Sequence, residues 1–143
     1  HNGRRRQRQM CIRDRPRAGY SKNTTELNYE NNYRYIRYAD VLLMAAEANN
    51  RGGISDSKAQ TYLNQVRSRA GVSSINETGS ALTQAIWDER RLEFAGEGQR
   101  FFDLVRTGQA PNEMSGFVAG KHEVFPIPQT EIDISGLTQN AGY

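Results

Sequence analysis

Residues 35–48 read YIRYADVLLMAAEA, and this stretch decides the fold. Tyr35, Tyr38, Ala39, Leu42, Ala46 and Asn49 recur at steps of three and four, which puts them on one stripe of an amphipathic helix. The helical pattern sets in at Tyr33, and Gly52-Gly53 ends it, because glycine takes the left-handed conformation that closes helices. Ser55 or Asp56 can then cap a second helix. Its stripe is Ala59, Tyr62, Leu63, Val66 and Ala70, and Gly71 is its stop. The small residues Ala39, Ala45, Ala46, Ala59 and Ala70 let two antiparallel helices approach closely. Such a pair fills about the 34 residues of a tetratricopeptide unit.

Further along, residues 72–79 read as a polar loop and Ser80 can cap a third helix, from Ala81 to about Ala95. Gly96 and Gly98 break that helix, and a short one carrying Phe101, Phe102, Leu104 and Val105 follows until Gly108. Beyond it the periodicity fades. Pro111, Pro126 and Pro128 predict an extended, irregular tail, and Phe117, Val124, Phe125, Ile127, Ile132, Ile134 and Leu137 give it enough apolar surface to pack over other structure. The expected fold is mostly α: tetratricopeptide-like antiparallel helix pairs with an extended, irregular C-terminal tail.

The chain has 143 residues, a size suited to one domain, and only 36% of them are hydrophobic, so the core is modest. Its longest apolar run, residues 41–46, is far shorter than the ~20 residues a bilayer requires. The start is charged and polar, without the apolar middle of a signal peptide. Cys11 stands alone, so no internal disulfide forms, and residues 7–10 before it lack the apolar run of a lipoprotein cleavage site.

The formal charge of +3 points towards nucleic acid until its distribution is read. Arg4, Arg5, Arg6, Arg8, Arg13, Arg15 and Arg17, seven of the 19 basic residues, lie in the first 17 positions beside one acid, Asp14, and without that stretch the chain is acidic by three charges. The remainder has no field to steer a polyanion, which excludes nucleic acid as the expected partner. The opening HNGRRRQRQMCIRDR resembles translated sequencing-adapter read-through more than a disordered basic arm. Residues 1–19 are therefore expected to be a non-native segment, and residues 20–143 the domain itself.

The densest cluster of chemistry is Trp87-Asp88-Glu89-Arg90-Arg91-Leu92-Glu93-Phe94. At ~100° per residue, Glu89 and Glu93 fall between Leu82, Ile86 and Ala85, Leu92, on the apolar face. Two carboxylates at i, i+4 can act as an acid/base pair or hold a metal. A di-metal helical site wants Glu-x-x-His, and no histidine is near. The reading preferred is a structural one, with each glutamate neutralised by an arginine drawn from Arg67, Arg69, Arg90, Arg100 or Arg106. Gly96-Glu97-Gly98-Gln99-Arg100 lacks the ending of a phosphate loop and reads as a helix-to-helix turn. His1 and His122 form no ligand set, Cys11 has no catalytic setting, and no cofactor or metal is expected. Of the aromatic run Tyr29, Tyr33, Tyr35 and Tyr38, the last two are expected in the core, leaving Tyr29 and Tyr33 free to stack on sugars or bases.

Five blocks in order carry a resemblance to a family. Residues 35–48 resemble the signature helix of the RagB/SusD family, and residues 63–71, LNQVRSRAG, look like its next helix. Residues 86–94, IWDERRLEF, leading into residues 97–106, EGQRFFDLVR, are similar to its most distinctive stretch. Residues 121–133, KHEVFPIPQTEID, and 137–143, LTQNAGY, resemble its C-terminus, with Ala141 where the family usually has proline. The resemblance covers roughly residues 32–143 and implies a SusD-like α-superhelical fold, present here as the C-terminal piece of a longer protein. It implies a non-catalytic component of an outer-membrane nutrient uptake system, a surface lipoprotein that captures glycans or peptides with a TonB-dependent, SusC-like transporter. The lipid anchor, the only expected tie to the membrane, and most contacts to an oligosaccharide would lie outside this chain. No ligand-binding residue is carried over. Glu89, Arg90, Arg91, Glu93, Arg100 and Asp103 are carried over as a structural charge network. A tetratricopeptide-like scaffold that binds a protein partner is the alternative, and a glycoside hydrolase using Glu89 and Glu93 is the third reading.

Overall fold

The computed structural model describes residues 35–143, so the segment 1–19 and the candidate stacking residues Tyr29 and Tyr33 lie outside the described residues. The described chain is helical, without strands, and divides into two compact units that part after Phe94. The first contains α1 (Tyr38–Arg51), α2 (Asp56–Ala70) and α3 (Gly79–Glu93). The second contains α4 (Arg100–Arg106), α5 (Ala110–Glu113) and α6 (Gln129–Ser135).

In the first unit each helix packs against the other two, and the α1–α2 pair is the most extensive interface. A four-residue turn joins α1 to α2, so the pair runs antiparallel. Its closure is local chemistry. Gly53 sits at φ 65°, where a side chain would be strained, and the Ser55 hydroxyl accepts the Lys58 N–H at 3.2 Å as the cap of α2. Gly71 ends α2 in the left-handed conformation at φ 70°, its N–H turned back to the Arg67 and Ser68 carbonyls.

The three helices bury one row each. Leu43 and Ala46 from α1 meet Ala59, Leu63 and Val66 from α2 and Leu82 and Ile86 from α3. Full burial of each large aliphatic side chain contributes about 1.5–3 kcal/mol. The alanines in these rows keep the axes close, so a larger residue there would force the helices apart.

The first helix differs from the sequence reading in two details. Tyr35 and Tyr38 are exposed instead of lying on the core stripe. The helix begins at Tyr38, so Tyr35 precedes it, and Tyr38 is one residue before Ala39, about 100° around the wheel from the buried row. The buried asparagine of α1 is Asn50, at the end of the row through Ala39, Leu43 and Ala46, whereas Asn49 is half-buried and donates to the Ala45 carbonyl at 2.8 Å.

The start of α3 also differs. The helix begins at Gly79, and no side chain of its own caps it; the Asp56 carboxylate of α2 accepts the Gly79 N–H at 2.7 Å. Asn50 completes that junction. Its amide donates to Asp56 at 2.7 Å and to the Gly79 carbonyl at 3.1 Å, and its oxygen accepts from Thr83 at 2.5 Å. These bonds hold the Asp56 carboxyl below its usual range, the Gly79 N–H first and the Asn50 amide second.

The second unit buries little, with Leu104 and Ala110 as its buried apolar residues. Its tail is irregular apart from α6, a short helix the fading periodicity did not show. Side chains hold the tail in place. Pro126 and Pro128 have no N–H, so Ile127 carries the one backbone donor among the three residues. The Gln139 amide takes both of that residue's backbone groups, accepting its N–H at 2.8 Å and donating to its carbonyl at 2.9 Å. Asn140 donates to the Phe125 carbonyl at 2.6 Å and the Tyr143 hydroxyl to that of Val124 at 3.0 Å.

Candidate functional site

The charged cluster of α3 is inside the first unit. Glu89, Arg90 and Glu93 are buried because the helix turns the same side to α1 and α2 through Leu82 and Ile86. Only 2% of Glu89 and 4% of Glu93 is exposed. A carboxylate so deep must be paired or protonated, since stranding it would cost several kcal/mol.

Each has a different solution. Glu89 Oε2 accepts from Arg67 at 2.5 Å, while Oε1 is buried without a hydrogen-bond partner among the described residues. Burial pushes the Glu89 carboxyl above its ordinary value, with Arg67 pulling the other way and the nearby Glu93 adding to the rise. Glu93 is held from two sides. Its Oε1 accepts from Arg37 at 2.9 Å and from Arg69 in a still shorter bond, and its backbone carbonyl accepts from Arg37 at 3.2 Å.

Arg90 points to α1 and donates to Asp40 at 2.6 Å, with both side chains buried. Its guanidinium and that of Arg37 lie 5.1 and 5.0 Å from the centre of the Phe94 ring, within cation–π range. At the far end of α1, Glu47 accepts from Arg51 at 3.0 Å and from the Trp87 indole at 3.1 Å. Arg91 is exposed on the opposite face. Arg100 and Asp103 belong to the second unit, where Arg100 pairs with Glu113 at 3.4 Å and Arg106 donates to the buried Asp103 at 2.8 Å.

Two carboxyls in unlike environments, one pushed towards the neutral form and one locked by arginines, are the usual ingredients of acid/base catalysis. Here both lie on a packed helix face, and their partners are arginines of neighbouring segments. The arrangement joins helices. No group of three or more histidine, cysteine or acidic side chains capable of holding a metal occurs among the described residues. No described helix is long and apolar enough to cross a membrane.

The family model described as the SusD family matches residues 3–124, starting inside the basic segment that lies outside the described structure. The chain belongs to the SusD family. Among curated relatives, family member "SusD-like protein P2" of Formosa agariphila is 33% identical over 132 residues, spanning 78% of this chain and 26% of that protein. Among solved structures, a laminarin-binding SusD-like protein is 45% identical with a TM-score of 0.73, over 87% of this chain and 26% of that one. Surface glycan-binding protein A from Bacteroides thetaiotaomicron, solved in complex with laminarihexaose, is 42% identical with a TM-score of 0.68, over 83% of this chain and 27% of that one. This chain therefore spans about a quarter of the length of the relatives it matches.

The sequence pattern singled out the carboxylates and nominated Arg67 and Arg69, which do pair with Glu89 and Glu93. It missed Arg37, Asp40 and Asn50. Arg37 precedes the helix and carries no periodic signal; Asp40 and Asn50 could have been found as polar residues one turn from Ala39, Leu43 and Ala46 on the wheel.

Proposed function

We propose that this chain is a scaffold portion of a surface glycan-capture protein that binds oligosaccharide without turning it over and passes it to a TonB-dependent transporter in the outer membrane. The observation that carries the reading is the 45% identity over 87% of the chain to a laminarin-binding SusD-like protein. The relative solved with laminarihexaose supports the same ligand class. In this reading a lipid anchor outside the chain ties the protein to the outer leaflet. Glu89, Arg90, Arg91 and Glu93 in the first unit, and Arg100 and Asp103 in the second, serve the scaffold. Residues 20–143 are the functional domain, and residues 1–19 contribute nothing to it.

Capture without turnover is also what the carboxylates favour. A glycosidase needs its two carboxyl groups flanking a scissile bond in a cleft, whereas Glu89 and Glu93 are buried and bonded to arginines. The test is calorimetric titration of the full-length protein with laminarihexaose, maltohexaose and xylohexaose, together with co-purification of a transporter barrel from outer membranes. Saturable binding of one hexaose with no shortened product supports the proposal. Release of shorter sugars, abolished by Glu89→Gln in a folded protein, would refute it in favour of hydrolysis.

A further inference from the structure

Residues 95–143 form a concavity of about 270 Å³. Its lining includes the rings of Phe101, Phe117, His122, Phe125 and Tyr143. Phe101 and Phe125 are 6.5 Å apart at 38°, and Phe117 meets the His122 ring edge-on at 5.6 Å. None of the lining side chains is acidic, lysine or arginine, and the Lys121 ammonium lies over the Tyr143 ring, 4.8 Å from its centre. Phe125 is 77% exposed among the described residues.

The polar groups in these walls have defined directions. His122 Nδ1 accepts the Val118 N–H at 2.9 Å, so the neutral ring carries its proton on Nε2 as a donor. The Tyr143 hydroxyl spends its proton on the Val124 carbonyl at 3.0 Å, which leaves its oxygen as an acceptor. The Gln139 and Asn140 bonds to Ile127 and Phe125 hold the frame in place, so little ordering is needed when a ligand arrives.

We propose that this concavity is a subsite for one ring of an oligosaccharide, an assignment that rests on the glycan-capture reading above. A pyranose has C–H faces with positive edges, complementary to the negative faces of aromatic rings. It also has a rim of hydroxyls that require both donors and acceptors, which His122 and Tyr143 supply. The size, just under the ~300–1,000 Å³ of ordinary ligand pockets, admits a single ring.

The experiment uses the full-length protein and its Phe125→Ala and His122→Phe variants, titrated with the same three hexaoses while melting is followed in parallel. Phe125→Ala removes a stacking wall, and His122→Phe keeps ring volume but removes the donor. Each should weaken hexaose binding about tenfold, at the upper end of one aromatic contact, with the melting of Phe125→Ala unchanged. Unchanged affinity in either variant overturns the subsite and leaves glycan capture standing. A lower melting temperature for Phe125→Ala also overturns it, since the ring would then be packed against protein. A wild type that binds none of the three hexaoses removes the capture reading and the subsite together.

Discussion

Replacing Glu93 by leucine removes the acceptor that Arg37 and Arg69 share. Breaking a fully buried ion pair on one side typically costs about 3–5 kcal/mol. Two features lower that figure. The Arg69 side chain is 39% exposed and that of Arg37 19%, so each stranded guanidinium keeps some water, and leucine recovers part of the apolar burial. The expected loss is ~2 kcal/mol, or a melting temperature lowered by roughly 4–8 °C for a chain of this size. Circular dichroism melting of the wild type, Glu93→Leu and Glu93→Leu/Arg69→Met measures it. The double variant should regain part of the loss, because a neutral side chain no longer strands a cation. A melting temperature for Glu93→Leu within 1 °C of wild type would refute the reasoning, and so would a double variant no better than the single.

Glu89→Gln should flatten the dependence of stability on pH. The folded-state carboxyl lies above its ordinary value because of burial, so the stability it contributes is present below that ordinary value and is lost as pH rises through the raised one; urea unfolding across pH 4 to 8 shows whether the wild-type slope disappears in the variant. Asp56→Ala should do the reverse at the acid end. The carboxyl of Asp56 is held low by the Gly79 N–H and the Asn50 amide, so its contribution is present above the ordinary carboxylate range and is lost as pH falls through the lowered value. Acid titration followed by circular dichroism should show wild type and variant converging at low pH, and a constant difference would count against the cap. Leu63→Ala, at a site with no exposed surface in the α1–α2–α3 core, should cost about 2–5 kcal/mol in chemical unfolding. A loss under 1 kcal/mol would mean that α2 does not pack as described.

The helices were largely legible because their signals are local. The Ala59, Leu63, Val66, Ala70 row with Ser55 before it and Gly71 after it is written in consecutive residues, and the structure has that helix from Asp56 to Ala70. The phase of α1 is not legible at its start, where two tyrosines stand at helical spacing and no side chain caps the helix; the first turn has too few neighbours for periodicity to fix its face. Polar partners were less legible. Glu89 and Glu93 were recognisable as acids on an apolar face, and arginines were the chemically required partners. Which arginine serves which glutamate depends on how three helices are set against one another, and no spacing along the chain encodes that. Gln139 is the clearest example, a glutamine in an aperiodic tail whose role appears once Ile127 is placed beside it.

Asn50 gives the first unit a weakness in time as well as in space. Its side-chain amide donates to a carboxylate and a carbonyl and accepts from a hydroxyl, so its nitrogen and oxygen are not exchangeable. Spontaneous hydrolysis of that amide would change almost nothing in size. It would, however, turn a donor into an acceptor facing the Asp56 carboxylate and the Gly79 carbonyl, with a new negative charge beside an old one. A protein aged by this lesion would keep its sequence pattern, its aliphatic rows and its arginine pairs. It would lose the point at which the end of α1 and the starts of α2 and α3 are tied, and a mass increase of one dalton at residue 50 would date the damage.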